Sequence, residues 1–270
     1  MVSIRDQHCT TVERISQQLR AAGLEGWALS LEGCGREIRR IVCENCGWSH
    51  TIVSRCKLKA CPKCLSLRAF RVKKRYLKPV SRFREPKLLT LTIRSTKQLG
   101  AGVQKIRKSF EKFRRRKAVK RWLRAGIYAI EANPQPDGSW NVHIHALIDA
   151  PFRPHDWIKR MWEECTGGDF VVHICRVSAK RGLHYLLEYM AKGPTNEKKP
   201  WSVEAIVKYL RMLKNVRLIQ PFGWLLGAAV RDGLFVCPNC GEAIWRVECL
   251  ITGRIIWSEL GYILSERGSP

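Results

Sequence analysis

Apolar, partly β-branched residues dominate two neighbouring stretches of the chain, 125–132 and 140–150. This composition is typical of β-strands. The segment between them, 133–138, contains two prolines and a glycine and predicts a turn. Two further apolar runs, at 87–93 and 169–177, predict additional strands.

The apolar spacing elsewhere indicates helices. Ser178 and Ser202 are candidate N-caps, and Gly193 followed by Pro194 can end the helix that starts after Ser178. The longest predicted helix carries an apolar stripe along its length. The predicted helices are 12–24, 66–80, 102–124, 154–165, 178–192 and 203–214.

The charge balance points to the class of partner. The 270 residues include 49 Lys and Arg against 23 Asp and Glu, a net charge of +26. Such a charge indicates nucleic acid first, with an anionic membrane surface as the competing partner. No apolar run approaches the roughly 18 residues of a membrane span, and residues 1–7 are too polar to start a secretory signal. We therefore expect a soluble, cytoplasmic protein that binds nucleic acid and no membrane.

The basic residues are densest in the longest predicted helix. Between Lys105 and Arg124 there are 11 Lys or Arg and the single acid Glu111. Such a run can be a solvated face, but a polyanion would offset its self-repulsion, which favours a phosphate-contacting surface. The predicted DNA contacts are Arg114, Arg115, Arg116, Lys120 and Arg121.

Half of the 12 cysteines occur in three Cys-x-x-Cys pairs, a spacing that suits tetrahedral zinc. Disulfides are not expected in a reducing cytoplasm. We expect one structural zinc site formed by Cys43, Cys46, Cys61 and Cys64, with Cys56 as a rival ligand. The third pair, Cys237 and Cys240, is half of a second zinc site, for which Cys249, Cys56 and Cys34 are candidate partners.

His143 and His145 are one residue apart in a predicted strand. Strand side chains alternate between faces, so both imidazoles project from the same side and could share one divalent cation. A structural histidine pair is the alternative. Glu131 on the preceding strand is the predicted third ligand, provided that the strand register turns it to the same face. Two imidazoles favour Mn²⁺ over Mg²⁺.

Tyr185, Tyr189 and Lys192 follow one another at helical spacing in 178–192 and share a face. Core packing is the usual reason for such a tyrosine pair. Beside a histidine-bound metal and an ammonium group, however, a phenolate can attack a phosphodiester and form a covalent intermediate.

Three motifs occur in an order that resembles the HUH endonucleases, and among them the rolling-circle replication initiators of plasmids and single-stranded DNA phages. They are Leu-Thr-Leu-Thr at 89–92, Val-His-Ile-His-Ala-Leu at 142–147 and Tyr-Leu-Leu-Glu-Tyr-Met-Ala-Lys at 185–192. The segment 55–64 is also similar to the cysteine module that precedes the nuclease in many plasmid initiators. The resemblance extends over about 43–223.

The resemblance implies a Mg²⁺- or Mn²⁺-dependent nick in one strand of single-stranded or supercoiled origin DNA. Tyr189 is the expected nucleophile, because its spacing to Lys192 matches the motif, and Tyr185 the expected second one. The products would be a 5′-phosphotyrosine and a free 3′-hydroxyl that a host polymerase extends, with unwinding left to a host helicase. Where some plasmid initiators place a glutamate one turn before a single tyrosine, this chain has Tyr185, which favours a two-tyrosine mechanism.

The expected fold is α+β, with a central antiparallel sheet, a catalytic helix packed near it and small zinc-binding modules. The predicted segments are an N-terminal helical segment at 1–33, a zinc module with a basic helix at 34–82, the HUH nuclease domain at 83–225 and a zinc-ribbon-like segment at 226–270. Two alternatives remain, a transposase of single-stranded mobile elements and a non-catalytic zinc-ribbon DNA-binding protein.

Overall fold

The computed structural model describes residues 4–36, 38–192, 194, 200–228, 237–242 and 245–249. Its helices are α1 (Ile4–Ala21), α2 (Glu25–Glu32), α3 (Pro62–Val80), α4 (Leu99–Arg115), α5 (Lys117–Trp122), α6 (His155–Thr166), α7 (Ala179–Lys192) and α8 (Val203–Met212). Its strands are β1 (Ile38–Cys43), β2 (Ser49–Val53), β3 (Pro86–Thr92), β4 (Ala125–Pro134), β5 (Trp140–Asp149), β6 (Val172–Arg176), β7 (Ile219–Gly223) and β8 (Trp245–Cys249).

The chain divides into two compact units. The larger comprises Met1–Thr11 and Leu58–Ala229, and the smaller comprises Val12–Lys57 and Val230–Pro270. The boundaries drawn from the sequence at 34, 83 and 226 differ from this division. The basic helix α3 belongs to the larger unit, and the N-terminal and C-terminal cysteine segments share the smaller one.

A five-stranded antiparallel sheet in the order β6-β3-β5-β4-β7 forms the centre of the larger unit. Four of its strands were predicted, with ends that differ by at most three residues. The fifth, β7, lies in a segment for which no strand was predicted, because five residues containing a proline give too short a pattern to recognise.

Helices cover both faces of this sheet. On β5, odd-numbered and even-numbered residues point to opposite faces. Gly182 of α7 approaches the side chain of Leu147 so closely that an added Cβ would lie 2.5 Å from it. Gly102 of α4 approaches the even-numbered Val142 in the same way, at 3.2 Å. Therefore α7 covers the odd-numbered face and α4 the even-numbered face.

The core beneath α7 is apolar and also takes in α3. Tyr76 and Val80 of α3 pack with Leu183 and Leu186 of α7 and with Ile127 of β4. Helix stability in proteins comes mainly from packing an apolar face. The burial of these side chains therefore sets which face of α7 lies against the sheet.

The segment predicted as one helix over 102–124 is two helices, α4 and α5. Arg116 between them has an extended conformation, with φ −60° and ψ 132°. Trp122 follows Phe113 by nine residues. In an unbroken helix, these two side chains would therefore point in directions about 180° apart around the helix axis. The break instead brings these two rings to 6.5 Å, so that both are buried in one core.

The smaller unit contains a three-stranded antiparallel sheet in the order β2-β1-β8. Cys43 at the end of β1 lies opposite Trp245 at the start of β8. The pairing of β1 with β8 thus places the N-terminal cysteine segment, which contains Cys43, beside the C-terminal one. A further helix, α2, was not predicted; it begins soon after α1 ends.

Antiparallel sheets flanked by helices confirm the predicted α+β class. None of the described helices combines the length and the apolar character that crossing a membrane requires.

Candidate active site

His143 and His145 project from the face of β5 that α7 covers, and β3 supplies a threonine to each. Thr92 lies opposite His143 and Thr90 opposite His145. The Thr92 hydroxyl is 2.9 Å from Nδ1 of His143, and the Thr90 hydroxyl is 3.1 Å from Nδ1 of His145. Nδ1 of each ring is therefore occupied, and Nε2 is the nitrogen that can bind a cation.

Glu131 is on the same face as the histidines. The register pairs it with His143, and Oε2 accepts a hydrogen bond of 2.8 Å from Nε2 of His145. The strand register thus places the predicted third ligand beside the imidazoles.

The protonation states suit a cation site. Burial alone would raise the pKa of Glu131, but hydrogen bonds from His145 and Asn133 and the nearby imidazoles hold it below its ordinary value. Burial lowers the pKa of His143, although the Glu131 carboxylate opposes this shift. An ionised carboxylate and a neutral imidazole are the forms that bind a metal.

The tyrosines of α7 lie over this site. The Tyr189 ring stacks on the His145 ring, with centroids 3.8 Å apart and planes inclined by 22°. The hydroxyls of Tyr185 and Tyr189 are 2.5 Å apart. Glu188 instead turns to His184, at 3.3 Å. The two predicted nucleophiles therefore share one hydrogen bond at the edge of the candidate metal site.

The surroundings of Tyr189 disfavour its ionised form. Burial, the hydrogen bond to Tyr185 and the nearby negative charges raise the pKa of Tyr189 well above its ordinary value. The phenol is thus protonated at neutral pH, and its ionisation needs added positive charge. Lys192, the predicted source of such charge, closes α7, and its side chain lies outside the described residues.

The donor set fits a divalent cation such as Mn²⁺ in chemistry, with two imidazoles and one carboxylate on one face. His143 stands further off than the other two candidate ligands. Among the described residues, three or more candidate ligand atoms lie within 4.8 Å of one another only in the cysteine groups. The centroids of the His143 and His145 rings are 5.9 Å apart. His143, His145 and Glu131 are the residues that would hold such a cation.

A cavity of about 850 Å³ opens beside Glu131. It lies between the β4–β5 turn and the start of α8, and amide, hydroxyl and ammonium groups line it together with prolines and tryptophans. Its polar lining includes Asn133, Gln135, Ser202 and Lys208. Such a cavity has the size of a small-molecule or nucleotide site.

The basic residues of α4 and α5 lie on the sheet face opposite the histidines. Arg115 pairs with Glu111 at 2.6 Å, and Arg116 pairs with Glu164. Lys120 and Arg121 are exposed. Arg114 differs from the other four, because its guanidinium packs 5.1 Å from the ring centroids of both Phe110 and Phe222.

The described residues include two groups of four cysteines that could hold zinc. In the smaller unit, Cys43, Cys46, Cys237 and Cys240 form one group, with sulfur atoms 3.6 Å apart for Cys43 and Cys240 and 3.5 Å apart for Cys46 and Cys237. Tetrahedral zinc with bonds of about 2.3 Å sets its sulfurs about 3.8 Å apart, which agrees with these distances.

The expected set of Cys43, Cys46, Cys61 and Cys64 is therefore wrong, since Cys61 and Cys64 belong to the other group. The pairing of β1 with β8, which no sequence spacing indicates, brings Cys237 and Cys240 to Cys43 and Cys46. Cys249, one of the candidate partners, has its side chain outside the described residues.

The two cysteine pairs of the smaller unit have the same local geometry. Gly47 and Gly241 follow them with φ of +73° and +78°, and each glycine amide donates to the carbonyl of the first cysteine in its pair. Glycine adopts this left-handed conformation without strain. Hydrogen bonds from the Asn239 side chain and the Trp48 backbone lower the pKa of Cys46 to about 6, which favours the metal-binding thiolate.

A family model described as "Replication protein" matches residues 51–220, more than half of the chain. The chain belongs to this family. The match covers the histidine strand, Glu131 and both tyrosines of this replication initiator. A search of curated proteins and a search of solved structures gave no match.

Three contacts of the initiator's candidate site were not predicted. Thr90 and Thr92 were expected only as part of the motif at 89–92, with no role for their hydroxyls. Asn133 was expected in a turn, whereas it lies at the end of β4 and contacts Glu131. A signal for the threonines is present in the sequence. Thr-Leu-Thr at 90–92 has the same two-residue period as His-Ile-His at 143–145, so paired strands can bring the two rows together.

Proposed function

We propose that this replication initiator nicks one strand of origin DNA by metal-assisted attack of Tyr189 on a phosphodiester. The stacking of Tyr189 on His145 is the observation that carries the proposal. It holds the phenol beside two imidazoles and a carboxylate, on a helix that is well packed against the sheet.

In the proposed step, Oη of Tyr189 attacks phosphorus. Oη gives up its proton to solvent as its bond to phosphorus forms, the bond from phosphorus to the 3′ oxygen breaks, and this oxygen takes up a proton to become the free 3′-hydroxyl. Mn²⁺ or Mg²⁺ bound by His143, His145 and Glu131 would polarise the phosphate. The raised pKa of Tyr189 supports a need for such a cation, because without it the phenol keeps its proton at neutral pH.

Tyr185 is the proposed second nucleophile. Its hydroxyl is 2.5 Å from that of Tyr189, and its side chain is 38% exposed, which leaves it accessible to a second DNA end. The reverse reaction with a 3′-hydroxyl would rejoin the strand. Two tyrosines on one helix face thus suit nicking followed by termination.

The DNA partner is single-stranded or supercoiled origin DNA. Exposed cations at Arg115, Lys120 and Arg121 support phosphate contacts along α4 and α5, on the sheet face opposite the nick site. Arg114 is not proposed as a contact, because its guanidinium packs against two aromatic rings. Host polymerase and helicase are the proposed partners after the nick.

The experiment mixes the protein with Mn²⁺ and a library of single-stranded oligonucleotides labelled at the 3′ end, which remains on the 5′-phosphate fragment. We expect a labelled protein adduct that survives denaturation and is lost in the Tyr185→Phe/Tyr189→Phe double variant. Tyr128→Phe is the matched control, since Tyr128 is buried on the opposite sheet face and should leave the adduct unchanged. An undiminished adduct in the double variant would refute the tyrosine mechanism.

A further inference from the structure

Thr90 and Thr92 stand in a row that matches the histidine row in spacing. Thr90 pairs with His145 and Thr92 with His143, and each hydroxyl meets Nδ1 of the ring across from it, at 3.1 and 2.9 Å. Such repeated cross-strand pairing gives both imidazoles the same environment on the side away from the candidate cation position.

The rest of β3 keeps both threonines opposite their histidines. The strand is hydrogen-bonded to β5 on one side and to β6 on the other, which sets its register. Leu89 and Leu91, which alternate with the threonines, are fully buried on the opposite face of the sheet. A rotation of β3 that removed either hydroxyl from its histidine would expose these leucines to water.

A hydroxyl suits both states of the site, because it can donate or accept a hydrogen bond. In the neutral ring without a cation, Nε2 of His145 donates to Glu131 and Nδ1 accepts from Thr90. With a cation on Nε2, the ring proton must sit on Nδ1, and the same hydroxyl then accepts from it. A backbone carbonyl in this place could serve only the second state.

We infer that Thr90 and Thr92 are positioning residues that hold Nε2 of His145 and His143 toward a shared divalent cation. This inference rests on the proposed function, since it concerns the cation site that the nicking reaction uses. The partner of the non-ligating nitrogen orients a metal-binding histidine, and removing such a partner typically weakens metal binding 10- to 100-fold.

The test measures Mn²⁺ binding directly, by the electron paramagnetic resonance signal of free Mn²⁺ during titration of the zinc-loaded protein. The variants are Thr90→Val, Thr92→Val and the double variant. Valine keeps the shape and the strand preference of threonine and removes only the hydroxyl. Thr90→Ser and Thr92→Ser are the matched controls, because they keep the hydroxyl.

We expect each valine variant to bind Mn²⁺ about tenfold or more weakly than the unaltered protein, and the serine variants to bind nearly as tightly. The Tm of the metal-free valine variants should fall, because each substitution leaves one imidazole Nδ1 without its hydrogen bond. The further rise in Tm that Mn²⁺ induces should also shrink in these variants.

Equal Mn²⁺ affinity in the unaltered protein and the double valine variant would overturn the inference, provided that His143→Ala abolishes binding. If the unaltered protein binds no Mn²⁺, or His143→Ala binds it equally well, the proposed cation site itself is wrong and the inference falls with it. The two failures are thus distinguishable.

Discussion

The four-thiol group of the smaller unit and the histidine site of the larger unit present metal ligands in different ways. In the thiol group, all four sulfurs lie within 4.8 Å of one another. In the histidine site, Glu131 is hydrogen-bonded to His145, and the ring of His143 stands apart. The thiol group thus has its four ligand atoms close together. In the histidine site, Nε2 of His145 carries a proton that is hydrogen-bonded to Glu131, where a cation would bind instead.

This difference matches the proposed roles of the two metals. A structural zinc site is closed by four ligands and stabilises the fold, whereas a catalytic site leaves positions open for substrate. The thiols come from two short turns brought together by β1 and β8, so the metal joins distant parts of the chain. The histidines and Glu131 are already held by a packed five-stranded sheet. The larger unit should therefore keep its fold without its cation.

The largest expected effect is the loss of the four-thiol metal. Cys43→Ser should unfold the smaller unit, because the binding free energy of structural zinc is about 10–16 kcal/mol and contributes directly to folding. Limited proteolysis and zinc content would show it. Cys175→Ser is the control, since Cys175 is exposed on β6 and belongs to neither four-cysteine group. Unchanged zinc content in Cys43→Ser would contradict the proposed zinc site.

The next effect separates the two metals by function. His143→Ala should lower the nicking rate about 10³-fold or more, because it would remove a proposed ligand of the cation that is proposed to stabilise charge in the transition state. Its circular dichroism spectrum and Tm should be close to those of the unaltered protein. Dialysis against a mild chelator should likewise stop nicking, and Mn²⁺ should restore it while the bound zinc is retained. A large loss of Tm in His143→Ala would instead indicate a structural pair.

The smallest expected effect is on the pKa of the Glu131 carboxyl. The pKa of Glu131 is lowered in the native protein, so its carboxylate stabilises the fold above its ordinary pKa, and this contribution is lost as the pH falls through the lowered value. In metal-free protein, the ¹³C signal of the Glu131 carboxyl should titrate below the usual glutamate range. His145→Ala should move the titration upward, since it removes the hydrogen bond. An unmoved titration would show that His145 does not stabilise the carboxylate.

The sequence alone predicts the histidine site better than it predicts the cysteine sites. The histidine site depends on local patterns: the two-residue period of His143 and His145, a tight turn back to Glu131, and the four-residue spacing of Tyr185 and Tyr189. Such short-range features can be recognised in a sequence, apart from the threonine contacts, which require the register of β3.

The cysteine sites depend on long-range pairing. Spacing indicated zinc and gave the pairs, but it could not show that Cys43 and Cys46 meet Cys237 and Cys240, nearly 200 residues away. The break at Arg116 was missed for a similar reason, because the packing of Trp122 against Phe113 that accompanies it is a tertiary contact. Tertiary contacts decided both features.

The most direct test of the central claim is to identify the residue that carries the DNA. Protein incubated with Mn²⁺ and single-stranded origin DNA would be digested with nuclease and protease, and the peptides analysed by mass spectrometry. We expect a nucleotide joined through its 5′-phosphate to Tyr189, and to Tyr185 when Tyr189 is replaced by phenylalanine. A nicked strand with no phosphotyrosine on either residue would contradict it.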